Sequence, residues 1–236
     1  MSLDNVFFEP NSNPLLHLAV PNQDRTSLSL LGYPDLMVLD CCDNKIRDLN
    51  CKFIPQLTHL ACNNNKLTEL NLSSNSYLEW LWCSQNTIGQ LDLGFAMKLT
   101  HLMCYANPLE ELNLSGTPSL RELTCNSCNL KRLDLSGVKN LENLSCEANN
   151  LTELDVLGLT SLETLICDDN PLKTLDLSSL LSLELLSCYN TNIESLDISQ
   201  NPKLSKVQCP EGARVRKRPN QKVIHSKAFY RDILPI

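Results

Sequence analysis

Residues 57–77 read Leu-Thr-His-Leu-Ala-Cys-Asn-Asn-Asn-Lys-Leu-Thr-Glu-Leu-Asn-Leu-Ser-Ser-Asn-Ser-Tyr. The next 21 residues, 78–98, repeat the pattern: Leu78, Leu81, Cys83, Asn86, Ile88, Leu91 and Leu93 fall at the offsets of Leu57, Leu60, Cys62, Asn65, Leu67, Leu70 and Leu72. Working outward in both directions, cysteine returns every 21 residues at Cys41, Cys62, Cys83, Cys104, Cys125, Cys146, Cys167, Cys188 and Cys209, with nothing inserted or deleted. A fixed period of this length marks a stacked-repeat architecture. Full units begin at Leu36, Leu57, Leu78, Leu99, Leu120, Leu141, Leu162 and Leu183, and a partial one at Leu204. Residues 15–35 form a degenerate first unit, with Val20 in the cysteine place and Gln23 in the asparagine place.

The unit is L-x-x-L-x-C-x-x-N-x-L-x-x-L-x-L-S-x-x-x-x. Its L-x-C segment is predicted to form a strand, with the x positions on the face opposite the leucine and cysteine. The strands are predicted to stack in parallel into one sheet. The asparagine three residues beyond the cysteine reads as structural, its amide pairing backbone groups of its own and the adjacent coil. Cys128 and Thr191 stand in that place in two units, where local loosening is expected. The returning half is too short for a regular helix. Its recurring Asp or Asn (Asn50, Asn71, Asp92, Asn113, Asp134, Asp155, Asp176, Asp197) reads as a turn former. The Gly-Gly-x-Gly-x-Asp signature of calcium-binding β-rolls is missing from it.

This pattern resembles the leucine-rich repeat, with cysteine in place of the third leucine of the L-x-x-L-x-L-x-x-N core. The 21-residue form is similar to the cysteine-ladder repeats of bacterial internalin-J-type proteins. The resemblance spans residues 15–209. It implies a solenoid of the α/β horseshoe class, mostly β with little helix, and a curved parallel sheet on the concave side. It also implies a protein-interaction module whose concave sheet is the contact surface. Its relatives are mostly bacterial, and some sit on cell surfaces or contact host cells.

Three segments follow: residues 1–14 as an N-terminal cap carrying Phe7 and Phe8, residues 15–209 as the repeats, and residues 210–236 as a basic cap or tail. That last segment has seven Lys or Arg against two Asp or Glu, so the chain's net charge of −7 leaves about −12 on the part before it. The cluster Arg214–Pro219 invites a nucleic-acid reading, but the acidic body would repel phosphates. No apolar run approaches the roughly 18 residues of a membrane span. The first residues lack the features of a secretory signal, so a cytoplasmic location is expected, with a secreted or surface location as the alternative if a signal was trimmed. The 12 cysteines read as structural thiols. Stacked strands place the nine of the column about 4.8 Å from their neighbours with side chains that do not converge, and a line of sulfurs cannot surround one zinc ion.

The outward strand positions define the candidate binding surface. Both tryptophans of the chain, Trp80 and Trp82, lie there in a single unit, flanked by His59, His101, Met103 and Tyr105. Tryptophan, tyrosine and methionine are interface-enriched and supply anchors. The ordinary alternative is rings stacked to stiffen the sheet. A second, polar region comprises Glu122, Asn126, Asn143, Glu147 and Asp168, suited to a basic partner or simply solvated. Nothing resembles a phosphate loop, a metal cluster or a nucleophile elbow. Cys42, expected to face outward, is the one thiol placed to be reactive. The reading is therefore a monomeric, non-catalytic, cofactor-free scaffold that binds a protein partner. A carbohydrate-binding or adhesive surface protein fits the same aromatic patch.

Overall fold

The computed structural model describes residues 16–224. The expected N-terminal cap, with Phe7 and Phe8, and residues 225–236 of the basic tail lie outside that range. Each unit contributes one three-residue strand: β1 (His17–Ala19), β2 (Val38–Asp40), β3 (His59–Ala61), β4 (Trp80–Trp82), β5 (His101–Met103), β6 (Glu122–Thr124), β7 (Asn143–Ser145), β8 (Thr164–Ile166) and β9 (Leu185–Ser187). Then follow β10 (Ser195–Asp197), β11 (Lys206–Gln208), β12 (Arg214–Arg216) and β13 (Val223–Ile224). Eleven of these form one parallel sheet in the order β1 to β9, β11, β13. The register is the repeat itself: Leu60 opposes Leu81, Leu81 opposes Leu102, and Leu186 opposes Val207. Parallel strands need long crossovers, and here the rest of each coil supplies them.

The strand is x-L-x, one residue earlier than the predicted L-x-C. The cysteine still extends the ladder, since Cys41 N–H donates to Ala61 O at 2.8 Å and Cys62 N–H to Trp82 O at 2.8 Å. Beyond it the chain turns off the sheet through a left-handed residue, found at Asp43, Asn64, Gln85, Ala106, Ser127, Ala148, Asp169 and Asn190 with φ of 51–55°. The leucines point into a continuous core in which each coil covers its neighbour. All 12 cysteines are buried thiols. Burial pushes Cys51, Cys83 and Cys146 up to about 12, so they stay protonated and serve as small hydrophobes.

The asparagine column closes the turn. Asn65 Nδ2 donates to Cys41 O of the preceding coil and to Cys62 O and Asn63 O of its own, while its Oδ1 accepts Ile46 N–H. Asn44, Asn86, Asn107, Asn149 and Asn170 repeat the arrangement. Where Cys128 replaces asparagine the coil rearranges instead of loosening. Its thiol donates to Cys104 O and Asn126 O, supplying only the donor half. Leu109 N–H then turns to Asn107 O, and Glu110 becomes left-handed with φ 57° so that its N–H reaches Cys128 O. Thr191 likewise supplies a donor alone, to Cys188 O at 2.8 Å.

The returning half is irregular apart from a 3₁₀ turn at Cys51–Phe53 and the strand β10 in the unit that begins at Leu183. Each Asp or Asn of its column accepts the N–H two residues on, as Asp176 does from Ser178 and Asp92 from Gly94. After Cys209 a shortened coil stacks on the last full one. Here β12 pairs with β10, β13 pairs with β11, and Val207 opposes Val223. Gln221 Nε2 donates to Ile198 O and Asn201 O, one coil beyond where Asn201 Nδ2 donates to Leu177 O and Leu180 O.

Candidate functional site

The alternation x-L-x puts two side chains of every strand on the outer face of the sheet. In β3, β4 and β5 these are His59, Ala61, Trp80, Trp82, His101 and Met103, all partly buried except the fully covered Ala61, while the leucine between each pair is sealed in the core. Trp80 sits between two histidines. It stacks on His101 at a centroid distance of 4.0 Å and 24° between planes, and meets His59 at 5.6 Å and Trp82 at 5.8 Å. The structure therefore brings His59, Trp80, Trp82 and His101, four of the five ring residues that the sequence singled out, into one cluster. Tyr105, two residues past β5, is also partly buried, and burial, with the negative field of Asp43, raises its phenol.

Two threonines orient the histidines. Thr58 Oγ1 lies 3.0 Å from Met37 O and 2.8 Å from His59 Nδ1, bridging the ring to the preceding coil. Thr100 repeats this, 3.0 Å from Glu79 O and 2.7 Å from His101 Nδ1. Burial pushes both histidines below their ordinary value, against the opposing fields of Glu79 at His59 and of Glu122 and Glu142 at His101. Near neutral pH the cluster is uncharged. Sequence reasoning missed these threonines, although the Thr-His pair recurs at 58–59 and 100–101 and was there to be read.

The polar region divides. Glu122 is exposed, with Oε1 3.7 Å from His101 Nε2, and Asn143 and Glu147 are partly exposed. Asn126 is tied into the sheet, its Oδ1 accepting Glu147 N–H and the Ser145 hydroxyl. Asp168 is 2% exposed and takes the Ser187 hydroxyl and Tyr189 N–H. Its carboxylate braces adjacent coils and offers no contact surface, a correction to the sequence reading. Cys42 is a second correction: only 1% of it is exposed. Burial first, then the neighbouring Asp40 carboxylate, raises its thiol far above the range of a nucleophile. Its position does alternate outward, but Asp40, which accepts Cys42 N–H, and the adjacent coil enclose it.

A further apolar surface lies on the turns that lead into the strands. Tyr77, Phe95 and Met97 are 46%, 51% and 57% exposed, with Lys98 Nζ 4.6 Å from the Tyr77 ring centroid. Among the described residues, no group of three or more His, Cys, Asp or Glu is arranged to hold a metal ion. No described helix is long and apolar enough to cross a membrane.

The leucine-rich repeat family pattern matches residues 63–78. No curated protein matches the chain by sequence. Among solved structures, the functional domain of InlJ from Listeria monocytogenes, which includes a cysteine ladder, superposes with a TM-score of 0.82 at 35% identity. That match covers 86% of this chain and 45% of the other. A leucine-rich-repeat protein of Leptospira interrogans matches with a TM-score of 0.69 at 21% identity, covering 82% of this chain and 57% of its own. The plant peptide hormone receptor RGFR1, in complex with RGF2, gives 0.72 at 18% identity, covering 83% and 36%. The chain thus spans about half the length of the first two relatives, and the last two show the fold alone. The 21-residue register, the sheet it builds, the buried thiol column and the likeness to InlJ lead to one identification: this chain is a leucine-rich-repeat protein of the internalin-like, cysteine-ladder type.

Proposed function

We propose that the chain is a non-catalytic scaffold that binds a protein partner on the outer face of its sheet, the concave side in leucine-rich repeats. The contact centres on His59, Trp80, Trp82, His101, Met103 and Tyr105. The observation that carries this reading is the position of both tryptophans. They stand partly exposed on adjacent outward positions of one strand, in a sheet whose backbone is fixed on both sides by ladder bonds. Large aromatic rings held this way offer contact area at small ordering cost. Leucine-rich-repeat proteins are typically interaction scaffolds, and the plant peptide hormone receptor RGFR1, which shares the fold, is in complex with RGF2.

The test is affinity capture from the source cells with the wild-type chain beside Trp80→Ala/Trp82→Ala, both checked for folding by far-UV circular dichroism. A partner retained by the wild type and lost by the folded variant supports the proposal. Equal retention by both refutes the assignment of the surface.

A further inference from the structure

We infer that a second surface of the chain, the row of turns that lead into the sheet strands, docks on a lipid bilayer carrying anionic headgroups. This surface is separate from the outer face of the sheet and does not depend on the interaction site proposed there.

The first observation is where the exposed apolar side chains stand. Among the described residues, seven large hydrophobic side chains are exposed. Six of them fall in the five residues that close a repeat unit: Leu31, Tyr77, Phe95, Met97, Leu157 and Leu181. The seventh, Met37, follows such a turn by two residues. Because every unit repeats the same turn, these segments line up along one flank of the solenoid. From the first full unit to the eighth the row is about 34 Å long at the spacing of stacked strands. Exposed apolar groups gathered in this way mark a contact surface.

The second observation is charge. In the eight full units the closing segments are 52–56, 73–77, 94–98, 115–119, 136–140, 157–161, 178–182 and 199–203. They hold none of the chain's 27 Asp and Glu residues, yet they hold Lys52, Lys98, Lys139 and Lys203, all exposed. Two of these lysines lie against aromatic rings of the same flank. Lys98 Nζ is 4.6 Å from the Tyr77 ring centroid, and Lys52 Nζ is 5.0 Å from that of Phe53. Rings and aliphatic chains beside lysine ammonium groups suit a membrane interface, where the apolar part enters the acyl boundary and the ammonium reaches the phosphates. The core of a protein interface is instead depleted of lysine, which favours a lipid surface over a protein on this flank.

Acidic columns border the strip and decide where along it the contact falls. From Asp134 to Asp197 an aspartate stands two residues before each closing segment, and Glu142, Glu163 and Glu184 stand two residues after three of them. In the four units before these, the same two columns hold only Asp92 and Glu79 as acids. Both lysine–ring pairs and three of the exposed apolar side chains lie in that half. The contact therefore centres on Lys52, Phe53, Tyr77, Phe95, Met97 and Lys98, where anionic headgroups meet little opposing charge.

The experiment is co-sedimentation of the full chain with sucrose-loaded vesicles of phosphatidylcholine alone or of phosphatidylcholine and phosphatidylglycerol in equal amounts. The chain is expected to bind the anionic vesicles, and the neutral ones more weakly. Phe95→Ser/Met97→Ser is expected to weaken binding by more than about tenfold, since both half-exposed side chains lose their burial in the acyl boundary. Lys52→Gln/Lys98→Gln is expected to remove most of the preference for anionic vesicles and most of the weakening by added salt. All four of these side chains are exposed, and far-UV circular dichroism checks that the variants fold. Trp80→Ala/Trp82→Ala, on the other surface, is expected to bind vesicles as the wild type does. Vesicles that carry down no chain overturn the inference; if the wild type then self-associates in light scattering and Phe95→Ser/Met97→Ser does not, the flank belongs to a second copy. Equal binding by the wild type and Phe95→Ser/Met97→Ser, or binding lost in the tryptophan variant, overturns the assignment of the flank. An unchanged preference for anionic vesicles in Lys52→Gln/Lys98→Gln overturns the role of the headgroups.

Discussion

Replacing Asn149 by alanine isolates the worth of one rung of the asparagine ladder. Asn149 is 6% exposed. Its Nδ2 donates to Cys125 O and Cys146 O at 2.9 Å and to Glu147 O at 3.2 Å. Its Oδ1 accepts both Cys128 N–H and Leu130 N–H at 3.0 Å, the first because Cys128 has replaced the asparagine of the preceding coil. Alanine removes these bonds and strands two amides on residues that are fully buried. At about 1–3 kcal/mol for each orphaned buried donor, the expected loss is about 4 kcal/mol. Urea unfolding followed by far-UV circular dichroism measures it, with Asn150→Ala, an exposed neighbour, as a control expected to stay within about 0.5 kcal/mol. In a solenoid, stability is a sum of units and their interfaces. Tryptophan emission, which reports only the coil carrying Trp80 and Trp82, should therefore shift less than the dichroism. A loss below about 1 kcal/mol would mean that water serves these amides, and the structural account of the ladder would fail.

Two further outcomes follow from the core. Cys51, Cys83 and Cys146 are raised to about 12 when folded, whereas an unperturbed thiol ionises near 9.0. Their contribution is complete below pH 9 and is lost as pH rises towards the folded value, at about 1.4 kcal/mol per pH unit for each thiol. Urea midpoints at about pH 8, 9.5 and 10.5 should fall steeply in the wild type and less in the triple alanine variant; parallel profiles would contradict the burial argument. Separately, a Cβ on Gly116 would lie 2.4 Å from Leu93 O, whereas at Gly137, one unit later, the nearest atom is Leu114 O at 3.5 Å. Gly116→Ala is expected to cost about 1–3 kcal/mol and Gly137→Ala to be near neutral. Equal thermal midpoints for the two would refute this.

Much of this was legible because the period is unbroken. A 21-residue spacing fixes which strand pairs with which, so Leu60 opposite Leu81 needed no tertiary information. Alternation then placed His59, Trp80, Trp82, His101 and Met103 together on one face. What failed was burial on that same face. Cys42 and Asp168 occupy outward positions, yet each is covered because strands only about 4.8 Å apart let side chains of adjacent coils enclose one another. Their partners, Asp40 and Ser187, sit two residues before in the same coil and one coil ahead, and periodicity does not say which outward positions will hydrogen-bond laterally. The orientation of the histidine rings was hidden for a similar reason. It depends on threonine hydroxyls that sit between each ring and Met37 O or Glu79 O of the preceding coil. The refolding around Glu110 was invisible too, since its cause, Cys128, lies in the next coil.

The most direct test of the interaction account is hydroxyl-radical footprinting of the chain with and without its captured partner. Trp80, Trp82, Met103 and Tyr105 report the sheet face, while Phe95, Met97, Leu157 and Leu181 report the exposed apolar groups elsewhere. The account predicts protection of the first group on binding, with the second unchanged. Protection of Phe95 and Met97, with both tryptophans oxidised as in the free chain, would contradict it.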